Sequence, residues 1–116
     1  MFVSLCKSKI HRASISSTNI NYEGSITIDT RLMELAGIQE FEHVHVVNVN
    51  NGNRFETYVM KGKKGEIILN GAAARLAVQG DKVIIIAYSF MKQKKSMGFK
   101  PRIVLVNDQN DPVTKH

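Results

Sequence analysis

His43-Val44-His45-Val46-Val47-Asn48-Val49-Asn50-Asn51-Gly52-Asn53-Arg54-Phe55-Glu56-Thr57-Tyr58-Val59-Met60 reads as two strands folded back on one turn. The first run, His43 to Val49, is rich in β-branched valine, which suits a pleated surface. Asn51-Gly52 is the strongest short hairpin signal, and Arg54 to Met60 pairs back on the first run. A chain organised around such a hairpin is β-rich.

The flanking sequence extends the pattern. Downstream, Lys61 to Gly65 reads as a second turn and Glu66 to Leu69 as a strand. Asn70-Gly71 turns into a short helical stretch, Ala72 to Ala77, and Gly80-Asp81 turns again. Val83 to Tyr88 is uninterrupted apolar sequence and predicts a strand buried on both faces. Upstream, Phe2 to Leu5 leads into Lys9-Ile10-His11, Ala13 to Ile15 reads as a short strand, and Ser16 to Asn21 is polar. Ser25 to Ile28 is another strand. Asp29 then caps a helix over Thr30 to Ala36, with Leu32, Leu35 and Ala36 on one face and Gly37 as the stop. Ile103 to Val106 is the last strand, and the polar stretch 108–116 reads as a mobile tail. The sum is mainly β: a small β-barrel with two short helices.

Length and charge bound the rest. At 116 residues the chain is a single domain, small enough for oligomerisation to help it bury surface. Cys6 is the only cysteine, which excludes an intrachain disulfide and a CxxC metal knuckle. No apolar run is long enough to span a bilayer as a helix, and the N-terminus lacks a signal-peptide pattern, so no membrane partner is expected and the cytoplasm is the simplest setting. The net charge of +6 is concentrated at Lys92, Lys94, Lys95, Lys100 and Arg102, a segment without acidic residues. Phe90 and Phe99 flank it, but no aromatics alternate with the cations as a base-stacking surface needs. A solvated loop is the plainer reading. A small basic β-barrel that binds nucleic acid is the alternative, and the same positive field suits a small dianion.

One dipeptide carries chemistry. In Tyr22-Glu23-Gly24-Ser25-Ile26, a Gly-Ser bond held in a strained turn can rearrange. The serine hydroxyl attacks the glycine carbonyl, the amide becomes an ester, and elimination breaks the chain, leaving a pyruvoyl ketone at the new N-terminus. That ketone is an electron sink requiring no bound cofactor. Gly-Ser is also common in ordinary turns, so the dipeptide gains its weight from its companions. These are Lys9-Ile10-His11-Arg12, Asn51-Gly52-Asn53-Arg54-Phe55-Glu56-Thr57-Tyr58 and Asn70-Gly71-Ala72-Ala73-Ala74.

In that order and spacing, these motifs resemble the pyruvoyl-dependent aspartate 1-decarboxylases over residues 5–101. The resemblance implies a double-psi β-barrel and a homo-tetramer of cleaved protomers, four α and four β chains, with active sites between subunits. It implies decarboxylation of L-aspartate to β-alanine and CO2 for pantothenate and coenzyme A synthesis. It implies cleavage between Gly24 and Ser25 into a 1–24 β chain and a 25–116 α chain, with the cofactor a covalent pyruvoyl group from Ser25 and neither metal nor pyridoxal phosphate. Some members need an acetyltransferase-like maturation factor. Two positions depart from the pattern: Val47 stands where some members carry Trp, and Glu56 where a small polar residue is usual. Strand alternation points Glu56 away from Thr57's direction.

Ser25 is the nucleophile and the source of the ketone. Gly24 tolerates the strained angles that the rearrangement needs. Thr57 can hydrogen-bond the Gly24 carbonyl or a developing oxyanion, although threonine is also a common strand filler. Arg54 and Lys9 offer two cations for the two carboxylates of aspartate, the Arg54 fork bidentately; which meets which is open, and each can equally be a solvated strand residue. The resemblance makes Tyr58 the proton donor to the substrate α-carbon, and Thr57, Gly71, Ala72 and Ala73 substrate contacts. Asn70 to Ala73 present backbone N–H groups at a helix start, or simply form a compact turn. His11 and Tyr22 line the pocket or steady the turn. His43 and His45 share a strand face at metal-like spacing, but no third ligand stands at a matching position, and no metal site is expected. An uncut scaffold that keeps the fold and never matures is a third reading.

Overall fold

A computed structural model describes residues 1–113, and eight strands dominate it. They are β1 (Phe2–Ser14), β2 (Ser17–Asn19), β3 (Ser25–Asp29), β4 (His43–Asn48), β5 (Arg54–Gly62), β6 (Ile67–Asn70), β7 (Lys82–Lys92) and β8 (Arg102–Leu105). Among the described residues there are also two short α-helices, α1 (Thr30–Ala36) and α2 (Gln93–Ser96), and a 3₁₀ turn (Gly71–Leu76). The strands form one mixed sheet in the order β2-β6-β3-β5-β4-β7-β1-β8. β1 with β8, β2 with β6 and β3 with β5 run parallel; the other neighbours are antiparallel.

Covalent continuity closes the sheet. β1 and β2 are consecutive in sequence yet lie near opposite ends of the strand order. The two residues between them are pinned on both sides: Ile15 N donates to Asp81 O at 2.8 Å and Ser16 N to Ile67 O at 2.9 Å. One continuous segment therefore seams both flanks into a barrel, the mainly β double-psi class. Ile10, Ile26, Val44, Val59, Leu69 and Ile85 point inward and are fully buried. Each such side chain contributes about 1.5–3 kcal/mol of transfer free energy. Among the described residues no helix is long and apolar enough to cross a membrane.

Local signals held where they were strongest. Asp29 caps α1, its side chain accepting from Arg31 N, and Gly37 ends the helix in the left-handed region at φ 67°. β4 and β5 pair around Asn51-Gly52, with Gly52 at φ 78°.

Several elements differ from expectation. Phe2–Leu5 and Ala13–Ser14 belong to one long strand, β1, because bulges at Cys6/Ser8 and Ile10/Ala13 absorb the irregularity, and Ile15 lies just past its end; Arg12 sits at φ 63° in the second bulge. The polar stretch 16–21 contains β2, held parallel to β6. β7 alternates: Val83, Ile85 and Ala87 are buried, while Ile84 and Ile86 are half-buried on the outer face. On α1, Met33 replaces Leu35 in the core, and Leu35 is exposed. At about 100° per residue, Leu35 falls about 60° from Leu32 on the side away from the barrel, and Met33 falls on the barrel side. The basic segment contains α2, with Gln93 N bonded to Met1 O. Asp108 to Val113 is docked: Asn110 is buried, donates to Ser14 O and Gly65 O, and accepts from Ser14 N. The end of the expected tail, 114–116, lies outside the described residues.

Candidate active site

Ser25 opens β3 between two neighbouring strands. Across one edge it pairs with Asn70 of β6. Across the other, β3 and β5 run parallel from the pair Ile26–Val59, so Ser25 and Tyr58 stand one step before that pair. Ile26 and Val59 face the core, and by strand alternation Ser25 and Tyr58 lie on the opposite, outer face. An outer-face serine is ordinarily wet, yet Ser25 is 0% exposed. The preceding turn folds back on it, Glu23 O accepting from Ser25 Oγ, and Gly71 packs against Gly24 next to it.

The Ser25 hydroxyl is fully engaged. Its Oγ donates to the carbonyl of Glu23 at 3.1 Å and accepts from the Asn70 side-chain amide at 3.0 Å. The second amide hydrogen of Asn70 goes to Thr27 Oγ1, also at 3.0 Å. Thr27 lies two residues along β3 and therefore on the same face. Sequence reasoning missed it, although that spacing from Ser25 was the available signal. Asn70 brings no charge, so the arrangement fixes the position of Oγ without ionising it.

Glycine is needed at a different place than expected. Gly24 has no positive φ, and a Cβ there would meet nothing within 4 Å. Gly71 sits at φ +68°, and a Cβ on it would lie 2.7 Å from Gly24 Cα, 2.8 Å from Gly24 N and 3.1 Å from Tyr22 O. Left-handed backbone and close approach together demand glycine at 71. The strained angles assigned to Gly24 are thus not found; Gly71 is the residue pressed against the turn through Tyr22 and Gly24. Ala72, the next residue, is exposed and Ala73 is half-buried against the core.

The remaining candidates divide by strand face. Register pairs Thr57 with the buried Val44, and Tyr58 and Arg54 with His43 and Val47. Paired residues share a face, so Thr57 points toward the core side while Tyr58 and Arg54 point outward. The ring of Phe41 lies 6.3 Å from that of Tyr58. Lys9 and His11 lie on β1, opposite Ile103 and Leu105 of β8. β5, β4 and β7 separate β1 from β3 along the sheet. A surface cavity of about 400 Å³ takes in Tyr22, Thr27 and Asn70 but not Lys9, Arg54, Thr57 or Tyr58. Within one protomer Ser25, Gly24, Asn70, Gly71 and Tyr22 form one cluster, and Lys9 and His11 belong to another part of the wall.

The pair His43 and His45 does have a third ligand at a matching position. Glu56, opposite His45 in the register, accepts from His43 Nε2 at 2.7 Å and from His45 Nε2 at 3.1 Å. The hydrogen bond from His43, then the charge of His45, holds the Glu56 carboxyl below its ordinary pKa. Glu56 is directed outward and away from Thr57, as alternation required.

The family model described as aspartate decarboxylase matches residues 1–113. The aspartate 1-decarboxylase of Caldicellulosiruptor bescii is 59% identical over 112 residues, covering 95% of this chain and 88% of that protein. Those of Campylobacter curvus and Kosmotoga olearia are 56% and 57% identical, each covering 99% of this chain and the whole of the relative.

Proposed function

The chain belongs to the aspartate decarboxylase family, and from that membership we propose that it converts L-aspartate to β-alanine and CO2 in the cytoplasm, for pantothenate and coenzyme A synthesis. The observation that carries this reading is the dry, doubly bonded hydroxyl of Ser25 beside the Gly71-braced Gly24.

Maturation comes first. Ser25 Oγ attacks the Gly24 carbonyl carbon, its proton passes to the departing nitrogen, and the amide becomes an ester. Loss of the Ser25 α-proton then breaks the Cβ–O bond. Gly24 leaves as a carboxylate, and addition of water with loss of ammonia leaves a ketone at position 25. Asn70 orients the attacking oxygen, and Thr57, opposite Gly24 by extension of the register, supplies a donor to the carbonyl oxygen. Position 25 fits the resulting group: it is buried, it carries the required hydroxyl, and its close partner is a neutral amide. A ketone there supplies an electron sink for the carbon–carbon bond that breaks.

The chain's other residues bind and protonate. Arg54 and Lys9 hold the two substrate carboxylates. Gly71, Ala72 and Ala73 allow the substrate to approach the backbone closely, and His11 and Tyr22 border the pocket. The Tyr58 phenol, on the Ser25 face, delivers a proton to the α-carbon as the carboxyl group departs.

A homo-tetramer of cleaved protomers completes the site in this reading. Lys9 and Tyr58 both face outward with two other strands between theirs, so a neighbour's β1 brings a cation to this chain's β5. The half-buried outer apolar row Ile84 and Ile86, with exposed Phe2, gives such contacts an apolar surface.

Intact mass of denatured protein tests the proposal. Fragments 1–24 and 25–116 are expected, the larger carrying a ketone, together with β-alanine from L-aspartate. A chain still whole after incubation with host extract, which supplies any maturation factor, would overturn it; so would turnover by Ser25→Ala.

A further inference from the structure

We propose that His43, His45 and Glu56 form a binding site for one divalent transition-metal ion, zinc or nickel in class, on the outer face of the β4–β5 hairpin. Two strand residues at i and i+2 send their Nε2 atoms to the same point, and the cross-strand carboxylate meets them there. The three ligand atoms lie within 4.8 Å of one another. Tetrahedral coordination at about 2.0–2.2 Å from each ligand places donor atoms about 3.3 Å apart. The present separations of 2.7 and 3.1 Å need to open by only a few tenths of an ångström. His43 and Glu56 are exposed and free to make that adjustment.

Two further features suit an ion. The His45 ring packs edge-on against Tyr88 at 5.0 Å between centroids, which fixes its orientation before binding. A cavity of about 510 Å³ lined by His43, His45, Tyr88 and Phe90 adjoins the trio and leaves room for water at the open coordination positions. Two imidazoles and one carboxylate match zinc and nickel better than magnesium or calcium, which favour all-oxygen shells.

The site is independent of the chain break. It does adjoin the proposed chemistry, because His43 is directly opposite Tyr58. An ion on the trio therefore sits one residue pair from that phenol, and metal loading is expected to slow turnover reversibly.

Calorimetric titration of untagged protein with zinc chloride or nickel chloride tests the proposal, using processed protein and the uncut Ser25→Ala variant in parallel. One ion per chain is expected in both. His45→Ala, at a half-buried position, and Glu56→Gln, at an exposed one, should each weaken binding at least about tenfold. His11→Ala should leave it unchanged. Absence of binding, or equal affinity in the His43→Ala/His45→Ala double variant, would overturn the site. Binding by the uncut variant keeps this result separate from the fate of the decarboxylase reading.

Discussion

Asn70 and Ser25 face each other across β6 and β3, and the Asn70 amide donates to Ser25 Oγ at 3.0 Å. The same amide reaches Thr27 Oγ1, so a single side chain sets two hydroxyls along one strand. Positioning of the Ser25 hydroxyl thus depends on a residue 45 positions away in sequence.

Removing that amide should separate maturation from folding. Asn70→Ala leaves both hydroxyls without their donor and should cost about 1–3 kcal/mol of stability. The barrel core is untouched, so the chain still folds, while chain cleavage slows at least about tenfold. Intact mass against time, beside a denaturant melt, reads both quantities. Cleavage at the parental rate would show that Asn70 does not orient Ser25.

Glycine substitutions at 24 and 71 should behave oppositely in stability. Gly71→Ala places a methyl 2.7 Å from Gly24 Cα in left-handed backbone. Strain of this kind costs about 1–3 kcal/mol before the clash is counted. Gly24→Ala meets open space and should stay within about 1 kcal/mol of the parent. Equal losses in thermal melts of the two variants would contradict the geometry.

Asp29 links the helix cap to acid stability. It is buried, caps Arg31 N, pairs with the Arg31 guanidinium at 2.7 Å and accepts from Gly65 N at 2.7 Å. Burial alone would raise its carboxyl, but the Arg31 guanidinium and the two backbone N–H groups outweigh that and hold it below the ordinary value. A carboxyl depressed in the folded state stabilises at pH above its unfolded value of about 3.9, and that contribution fades as pH falls through the folded value. Asp29→Asn keeps a cap and removes the charge. It should cost about 1–3 kcal/mol at pH 7, with the gap to the parent narrowing below about pH 4. A gap that does not change with pH would rule out the charge as the cause.

Sharing of the active site between chains can be tested by mixing. Tyr58→Phe should mature normally and lose about 10²-fold or more in kcat. Lys9→Ala should mature and bind substrate poorly. If one chain lends Lys9 to its neighbour's Tyr58, refolding the two variants together restores about a quarter of the sites in a statistical mixture. Activity no higher than the sum of the separate variants would place both residues in one chain.

Legibility followed the range of the interaction. The α1 limits were readable because Asp29 and Gly37 act on their own neighbours. The hairpin was readable because Asn51-Gly52 dictates its turn. Ser25 was singled out from the chemistry of its dipeptide and its companion motifs. The run-on of β1 through Arg12 was not readable, because a bulge is absorbed by partners in β7. Nor was the docking of 108–113, which depends on Asn110 reaching Ser14 and Gly65. Glu56 was noticed as a departure, but only the register set it between two histidines.

Residue order alone determined the period-two strands, the turn glycines, the capped helix and a Gly24-Ser25 bond flanked by cations and a phenol. Those follow from backbone sterics and side-chain chemistry acting over a few residues. Tertiary structure decided that Ser25 is dry, that Asn70 holds it, that Gly71 rather than Gly24 must be glycine, and that Lys9 lies apart from Tyr58. These depend on which strands become neighbours. Strand pairing is settled by the burial of the whole barrel core, and no local stretch encodes it.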